Sequence, residues 1–271
     1  MEKPMRIIIP VKQVPETRSV KFNEESGTLE RENAENILNP LDLYAVETAL
    51  KLKNRSGAEL TALTMGPPAA EKALRETLAM GVDSAVLLTD RKFAGSDTAA
   101  TARILKAAIL KLGHFDMIIC GERATDGDTA QTGVMLARFL GIPPVTYAAS
   151  VPAVRENFCE VRRRTEHGIE EIKVKLPCLI SVMKETGEPS LPTLNGKIRA
   201  KSAEIQAFTA EKLGLADTET GLRGSPTRVI KTFRPKIMRK TDTVIVSDGH
   251  GIEEASAKFA EIVAPFIGGA E

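Results

Sequence analysis

Residues 120–133 read Cys120-Gly-Glu-Arg-Ala-Thr-Asp-Gly-Asp-Thr-Ala-Gln-Thr-Gly133. The apolar run Met117-Ile-Ile-Cys120 leads into this stretch, and behind it Met135, Leu136, Phe139 and Leu140 share one helical face. Strand, small-residue loop and helix start thus follow one another, an arrangement in which backbone N–H groups converge on a phosphate. Gly121, Gly127 and Gly133 allow positive φ and close backbone approach. The charges of Asp126 and Asp128 repel a phosphate, so these residues suit N-capping and orientation of the loop. The N–H groups of Thr129, Ala130, Gln131 and Thr132, with the Thr129, Gln131 and Thr132 side chains, are left to face an anion. Composition leaves a second reading open, a strand-to-helix turn made only of capping residues.

The same grammar extends on both sides. Met5-Arg-Ile-Ile-Ile-Pro-Val11 predicts a buried first strand. A polar stretch over 12–36, with a turn at Glu25-Ser-Gly27, predicts a long loop or hairpin. Asn39-Pro-Leu-Asp42 then opens a helix, with Asn39 as N-cap, Pro40 at N1 and Asp42 at the positive end of the dipole. Strands at 59–65 and 84–88 alternate with helices at 69–80 and 97–112, closed by Gly81 and Gly113. This alternation predicts an α/β fold: an open, mostly parallel, twisted, Rossmann-like sheet with helices on both faces. Beyond Ser150 the pattern changes. Glu160–Thr165 and Ile169–Lys175 flank Glu166-His-Gly168 as a β-hairpin, and Cys178-Leu-Ile-Ser-Val-Met183 is a further strand. A basic run (Arg223, Arg228, Lys231, Arg234, Lys236, Arg239, Lys240) and a final helix over 251–266 make an extended C-terminal arm too poor in apolar residues for its own core. The expected division is a nucleotide-binding α/β domain over 1–210 and an arm with its helix over 211–271.

In an open parallel sheet, ligands bind beyond the carboxyl ends of the strands. Four segments fall there: Pro10-Val11-Lys12, the Asn39-to-Asp42 opening, Thr64-Met65-Gly66, and the loop that begins at Cys120 and Gly121.

Bulk properties narrow the classes. With 271 residues the chain can bury a full core, and 42% hydrophobic with 27% charged residues is ordinary for a soluble globular protein. A net charge of +1 and 4% aromatics give no reason to expect nucleic acid. No run approaches the roughly 18 apolar residues of a membrane span. The three cysteines, Cys120, Cys159 and Cys178, include no C-x-x-C, which disfavours iron–sulfur and zinc sites. With no secretory h-region in view, they point to a reducing, cytoplasmic location. There is no G-x-G-x-x-G after the first strand, no P-loop and no EF-hand spacing. His114, His167 and His250 are scattered without metal-type spacing, and no catalytic acid, base or nucleophile is assigned.

Taken together, Val11-Lys-Gln-Val-Pro15, Asn39-Pro-Leu-Asp42, the 120–133 loop, the stretch from Glu188-Pro to Ala200-Lys201, and Gly224-Ser-Pro-Thr227 make the chain similar to the beta subunit of an electron-transfer flavoprotein, nearly end to end. The resemblance implies a heterodimer with an alpha subunit that carries one FAD, and a second adenine nucleotide in the strand-end crevice of the beta subunit. In one branch of the family that nucleotide is structural AMP. In the electron-bifurcating branch it is FAD, which accepts electrons from NADH and sends them to a ferredoxin-like acceptor and an acyl-CoA dehydrogenase-type partner. The bifurcating branch typically reads Asp-Gly-Asp-Thr-Ala-Gln, as Asp126 to Gln131 do here; the AMP branch has a second acidic residue where Gly127 stands and an Asn before the Gln. Gly133-Val134 departs from the Gly-Pro common in bifurcating members, and Pro fits a first helical turn without penalty, so the change is small. The expectation is therefore a bifurcating subunit with FAD, with a non-bifurcating AMP subunit as the alternative and a plain nucleotide-binding regulator as a third reading. The resemblance also makes Leu194, in Pro192-Thr-Leu-Asn-Gly196, a docking residue for the dehydrogenase, flanked by Lys197, Arg199 and Lys201; an ordinary loop leucine is the other reading.

Overall fold

The computed structural model describes residues 4–16, 21–23, 28–30, 35–231 and 251–267. Strands β1 (Arg6–Pro10), β2 (Gln13–Pro15), β3 (Lys21–Asn23), β4 (Thr28–Glu30) and β5 (Asn36–Leu38) precede helix α1 (Pro40–Ser56). Next come β6 (Glu59–Met65), α2 (Glu71–Met80), β7 (Ser84–Leu88), α3 (Thr98–Leu112), β8 (Met117–Gly121) and α4 (Thr132–Leu140). The chain continues through β9 (Pro144–Val154), β10 (Phe158–Thr165), β11 (Gly168–Lys175), β12 (Cys178–Val182), α5 (Leu194–Ser202), β13 (Gln206–Phe208), α6 (Ala210–Leu213), α7 (Gly221–Gly224) and α8 (Ile252–Ile267).

Among the described residues the main sheet has nine strands, in the order β11-β10-β9-β12-β8-β1-β6-β7-β13. Every pair from β9 to β13 along that order is parallel, whereas β9–β10 and β10–β11 are antiparallel. The expected α/β class and hairpin are both present, with Thr165 opposite Gly168 at the hairpin tip. Alternation along the strands builds two cores, because successive side chains point to opposite faces. Ile7, Ile9, Met117, Ile119 and Ile180 pack with Val46, Ala49 and Leu52 of α1 and Leu74 and Leu78 of α2. Ile8, Ile118, Cys120 and Leu179 pack with Ile104, Leu105 and Ile109 of α3 and Leu136 of α4.

Helix ends follow local chemistry. Asp97 caps α3 by accepting the N–H groups of Ala99 and Ala100 at 3.0 and 2.9 Å. Gly141, at φ 72°, ends α4 in the left-handed conformation that glycine takes at little cost. Strand β9, which the sequence pattern did not suggest, carries the sheet from parallel to antiparallel pairing through register shifts, with Tyr147 at φ 57°. The chain divides into two units after Lys231. In the second unit the described part is α8, close to the expected 251–266. The turn at Glu25-Ser-Gly27 and the basic residues Arg234, Lys236, Arg239 and Lys240 lie outside the described residues.

Candidate functional site

Around the first strand the order runs β7-β6-β1-β8-β12, so the chain builds outward from β1 in one direction and then in the other. The reversal falls between β1 and β8, and their carboxyl ends are where such a sheet opens a crevice. Residues at the start of α1 tie these ends together. The Lys12 N–H donates to Asp42 Oδ2 at 2.8 Å, and the Val11 carbonyl accepts from Thr64 Oγ1 at 2.7 Å. Gly121 allows α1 to sit on the end of β8: a Cβ there would stand 2.9 Å from the Leu41 carbonyl carbon and oxygen.

Asn39 and Asp42 do more than the helix-opening roles expected of them. Asn39 occupies the N-cap position, but its side chain makes no cap bond. Fully buried, it donates from Nδ2 to the Arg123 carbonyl at 2.9 Å and accepts the Thr125 N–H at 3.2 Å, pinning the loop that follows β8. The loop's backbone groups are satisfied this way in preference to the helix's own. Burial pushes the Asp42 carboxyl up to about 7, against the opposing bonds from the Lys12 N–H, the Asn39 side chain and the Gly121 N–H.

The loop differs from its expected geometry in two respects. Positive φ falls at Asp128 (52°) and Ala130 (53°), and Gly121, Gly127 and Gly133 do without it. Gly121 and Gly133 are there for space, the latter because a Cβ would meet Cys120 Sγ at 3.0 Å; a Cβ on Gly127 would meet no protein atom within 4 Å. Nor do Asp126 and Asp128 cap α4, whose N-cap is Gln131 with no side-chain cap bond. Asp126 takes Lys12 Nζ on both oxygens at 2.7 Å, and Asp128 pairs with Arg123 Nε at 3.0 Å. Each carboxylate lies within reach of a cation, and Asp126 Oδ1 also accepts the Gly127 N–H at 2.8 Å, the loop-orienting role expected of it. The first-turn N–H groups of α4 have no intrahelical partner and no cap, so this positive end opens on the crevice.

The crevice encloses about 630 Å³, within the range of about 300–1,000 Å³ typical of cofactor pockets. Of the residues expected there, Pro10, Val11, Lys12, Asp42, Met65, Cys120, Gly121, Gly127, Asp128, Thr129, Ala130, Gln131 and Thr132 line it. Asn39, Thr64, Gly66 and Asp126 do not; Gly66 donates its N–H to the Leu88 carbonyl at 3.0 Å, and the others act through the bonds above. Two walls escaped the sequence reading. One is the start of α3, with Ser96, Asp97, Thr98 and Thr101; the other is Pro226, Thr227 and Val229. Asp97 at the end of the β7 connection was the available signal for the first. Thr98 Oγ1 and Gln131 Oε1, 3.2 Å apart, join the two helix starts.

Cys120 is buried, and burial first, then the nearby Asp42 charge, pushes its thiol up to about 12, so it meets the crevice as an inert small group. Leu194 is the first residue of α5 and 75% exposed, beside exposed Leu191 and Ile198. The helix is capped by Thr193 Oγ1, which accepts the Gly196 N–H at 2.9 Å. Of the flanking cations, Arg199 is committed inward, donating to the Leu78 and Val82 carbonyls at 2.8 and 3.2 Å. Among the described residues no helix is long and apolar enough to cross a membrane.

Fold and site together define a doubly wound α/β protein with a ligand crevice at its switch point, the architecture that takes nucleotides there. The electron transfer flavoprotein domain matches residues 26–213. An electron transfer flavoprotein subunit beta from Thermoanaerobacterium thermosaccharolyticum is 44% identical over 87% of this chain and 90% of its own length. The caffeyl-CoA reductase-Etf complex subunit CarD of Acetobacterium woodii is 43% identical, with 85% and 88% covered. The acryloyl-CoA reductase electron transfer subunit gamma of Anaerotignum propionicum is 46% identical, with 85% and 89% covered. The chain belongs to the electron transfer flavoprotein family, and it is a beta subunit.

Proposed function

We propose that the crevice at the β1/β8 switch point holds FAD, and that with an alpha subunit the chain forms a cytoplasmic electron-bifurcating flavoprotein. The observation that carries this reading is the open face of the 126–132 segment. Gly127 leaves room for phosphate where a side chain would stand, and the uncapped start of α4 offers N–H groups to it. When bound, FAD would supply the redox chemistry, with an electron pair from NADH passed on singly, one electron towards the alpha subunit and an acyl-CoA dehydrogenase-type partner and the other towards a ferredoxin-like acceptor. The chain's own residues bind and orient. The α4 N–H groups and Thr132 face the phosphates, and Lys12 and Arg123 offset the charges of Asp126 and Asp128, with which they pair. Asn39 and Asp42 fix the loop and the strand ends. No side chain is assigned as acid or base.

Two of the relatives are named for CoA-ester reductase complexes, and we carry that partner class to this chain. Leu194 with Leu191 and Ile198 supplies an apolar anchor for it, with Lys197 and Lys201 at the rim. Exposed Ile252, Phe259 and Ile262 on α8 fit an arm that docks on the alpha subunit.

Adding NADH to the purified heterodimer, with no dehydrogenase present, should bleach flavin absorbance. Gly127→Asp should abolish that bleaching and lower flavin at this site about tenfold or more, through like-charge repulsion at the phosphate. It should leave the fold unchanged, since a Cβ there meets no protein atom within 4 Å. Full bleaching and full flavin content in the variant would overturn the phosphate placement.

A further inference from the structure

One wall of the crevice comes from far along the chain. Pro226, Thr227 and Val229 line it, and Thr227 is held by Asp97. The two carboxylate oxygens of Asp97 are divided between two tasks. Oδ1 caps α3, accepting the Ala99 and Ala100 N–H groups at 3.0 and 2.9 Å. Oδ2 accepts both the N–H and the hydroxyl of Thr227, at 2.9 and 2.7 Å. The Asp97 N–H donates in turn to Ser225 Oγ at 2.9 Å, and that hydroxyl donates to the Gly221 carbonyl at 2.6 Å. Burial works to raise the Asp97 carboxyl, and the donors from Ala100, Thr227 and Ala99 outweigh it, leaving it below the ordinary carboxylate value.

Residues 226–231 are otherwise exposed, with Val229 at 79% and Ile230 at 96%. An apolar side chain that lines a crevice and yet faces water gains a covered face only when the crevice is filled. Thr227 stands at the start of α3, which Thr98 joins to Gln131 of the phosphate-facing loop. The same segment leads directly into the second unit of the chain, which begins after Lys231.

We propose that Asp97 is a positioning residue that seats the 226–229 segment as a wall of the crevice, so that a nucleotide in the crevice and the segment entering the C-terminal unit order one another. This rests on the nucleotide reading above. The coupling is reciprocal: an occupant that gains contacts from the seated wall must stabilise that wall by the same free energy.

Hydrogen exchange on the complete heterodimer tests it, comparing protein stripped of crevice nucleotide with the same protein after addition of FAD or, separately, AMP. With the tighter-binding probe, exchange should slow about tenfold in peptides covering both 121–133 and 225–231. Thr227→Val, which removes the hydroxyl donor, should lose the protection of 225–231 while 121–133 stays protected. It should also weaken the probe about tenfold, the scale of one hydrogen bond to a charged group, and Thr227→Ser should restore both. Protection of 121–133 with no change in 225–231, or a Thr227→Val protein that binds like the parent, overturns the inference and leaves the nucleotide site standing. No protection of either segment by FAD or AMP removes the nucleotide reading and this inference with it.

Discussion

Asp42 is the residue on which the geometry of the crevice turns, because its carboxylate holds the backbone just beyond β1 and the end of β8. Its pH behaviour follows from burial. The ordinary value is 3.8, and burial places it at about 7 in the fold. The folded state therefore keeps a proton that the unfolded chain releases over that interval. The stabilising contribution of this residue is full below pH 3.8 and is lost as the pH rises through about 7. Asp42→Asn removes that titration. In urea unfolding between pH 5 and 7, the stability of the parent relative to the variant should fall by up to about 1.4 kcal/mol per pH unit. A difference that grows with pH would mean that the carboxylate is ionised and favoured in the fold. At this scale the sequence placed Asn39 at the N-cap and Asp42 in the first turn correctly, and missed what the Asn39 side chain bonds to. Capping is a local property legible from neighbours, whereas the Arg123 carbonyl and Thr125 N–H that claim Asn39 lie more than eighty residues away.

Among the elements, those with continuous apolar runs or capped amphipathic patterns were legible: β1, β6, β7, β8, β12, the hairpin, and α1 to α4. Strand β9 was not. It contains Pro144 and Pro152, bends through Tyr147 at φ 57° and mixes two pairing senses, so neither a strict alternation nor an apolar run marks it. β13 is three residues long and visible only through its pairing with β7. The site divides the same way. The loop after β8 announces itself by composition. The 226–229 wall reaches the crevice only because Asp97 holds Thr227, |i−j| 130, and no local pattern encodes that. Helix α5 carries its own prediction. Leu194 is exposed and at the first position, so Leu194→Ala should leave flavin content and folding unchanged while slowing electron transfer to the proposed acyl-CoA dehydrogenase-type partner. A drop of about tenfold corresponds to a loss of about 1.4 kcal/mol at a small apolar anchor. An unchanged transfer rate would remove Leu194 from the docking surface.

At the scale of the molecule, a parallel sheet places the ends of β1, β6 and β8 side by side, and segments from six regions of the chain converge on one crevice there. The chain is an electron transfer flavoprotein beta subunit, and its chemistry at this scale turns on the occupant of that crevice. The reading proposed above, on the space beside Gly127, is a pyrophosphate with a second ring system in place of a monophosphate alone. The direct measurement is the nucleotide released from the denatured heterodimer, separated and counted against protein. Two FAD and no AMP per heterodimer is the result expected of an FAD-holding crevice. One FAD with one AMP would contradict it.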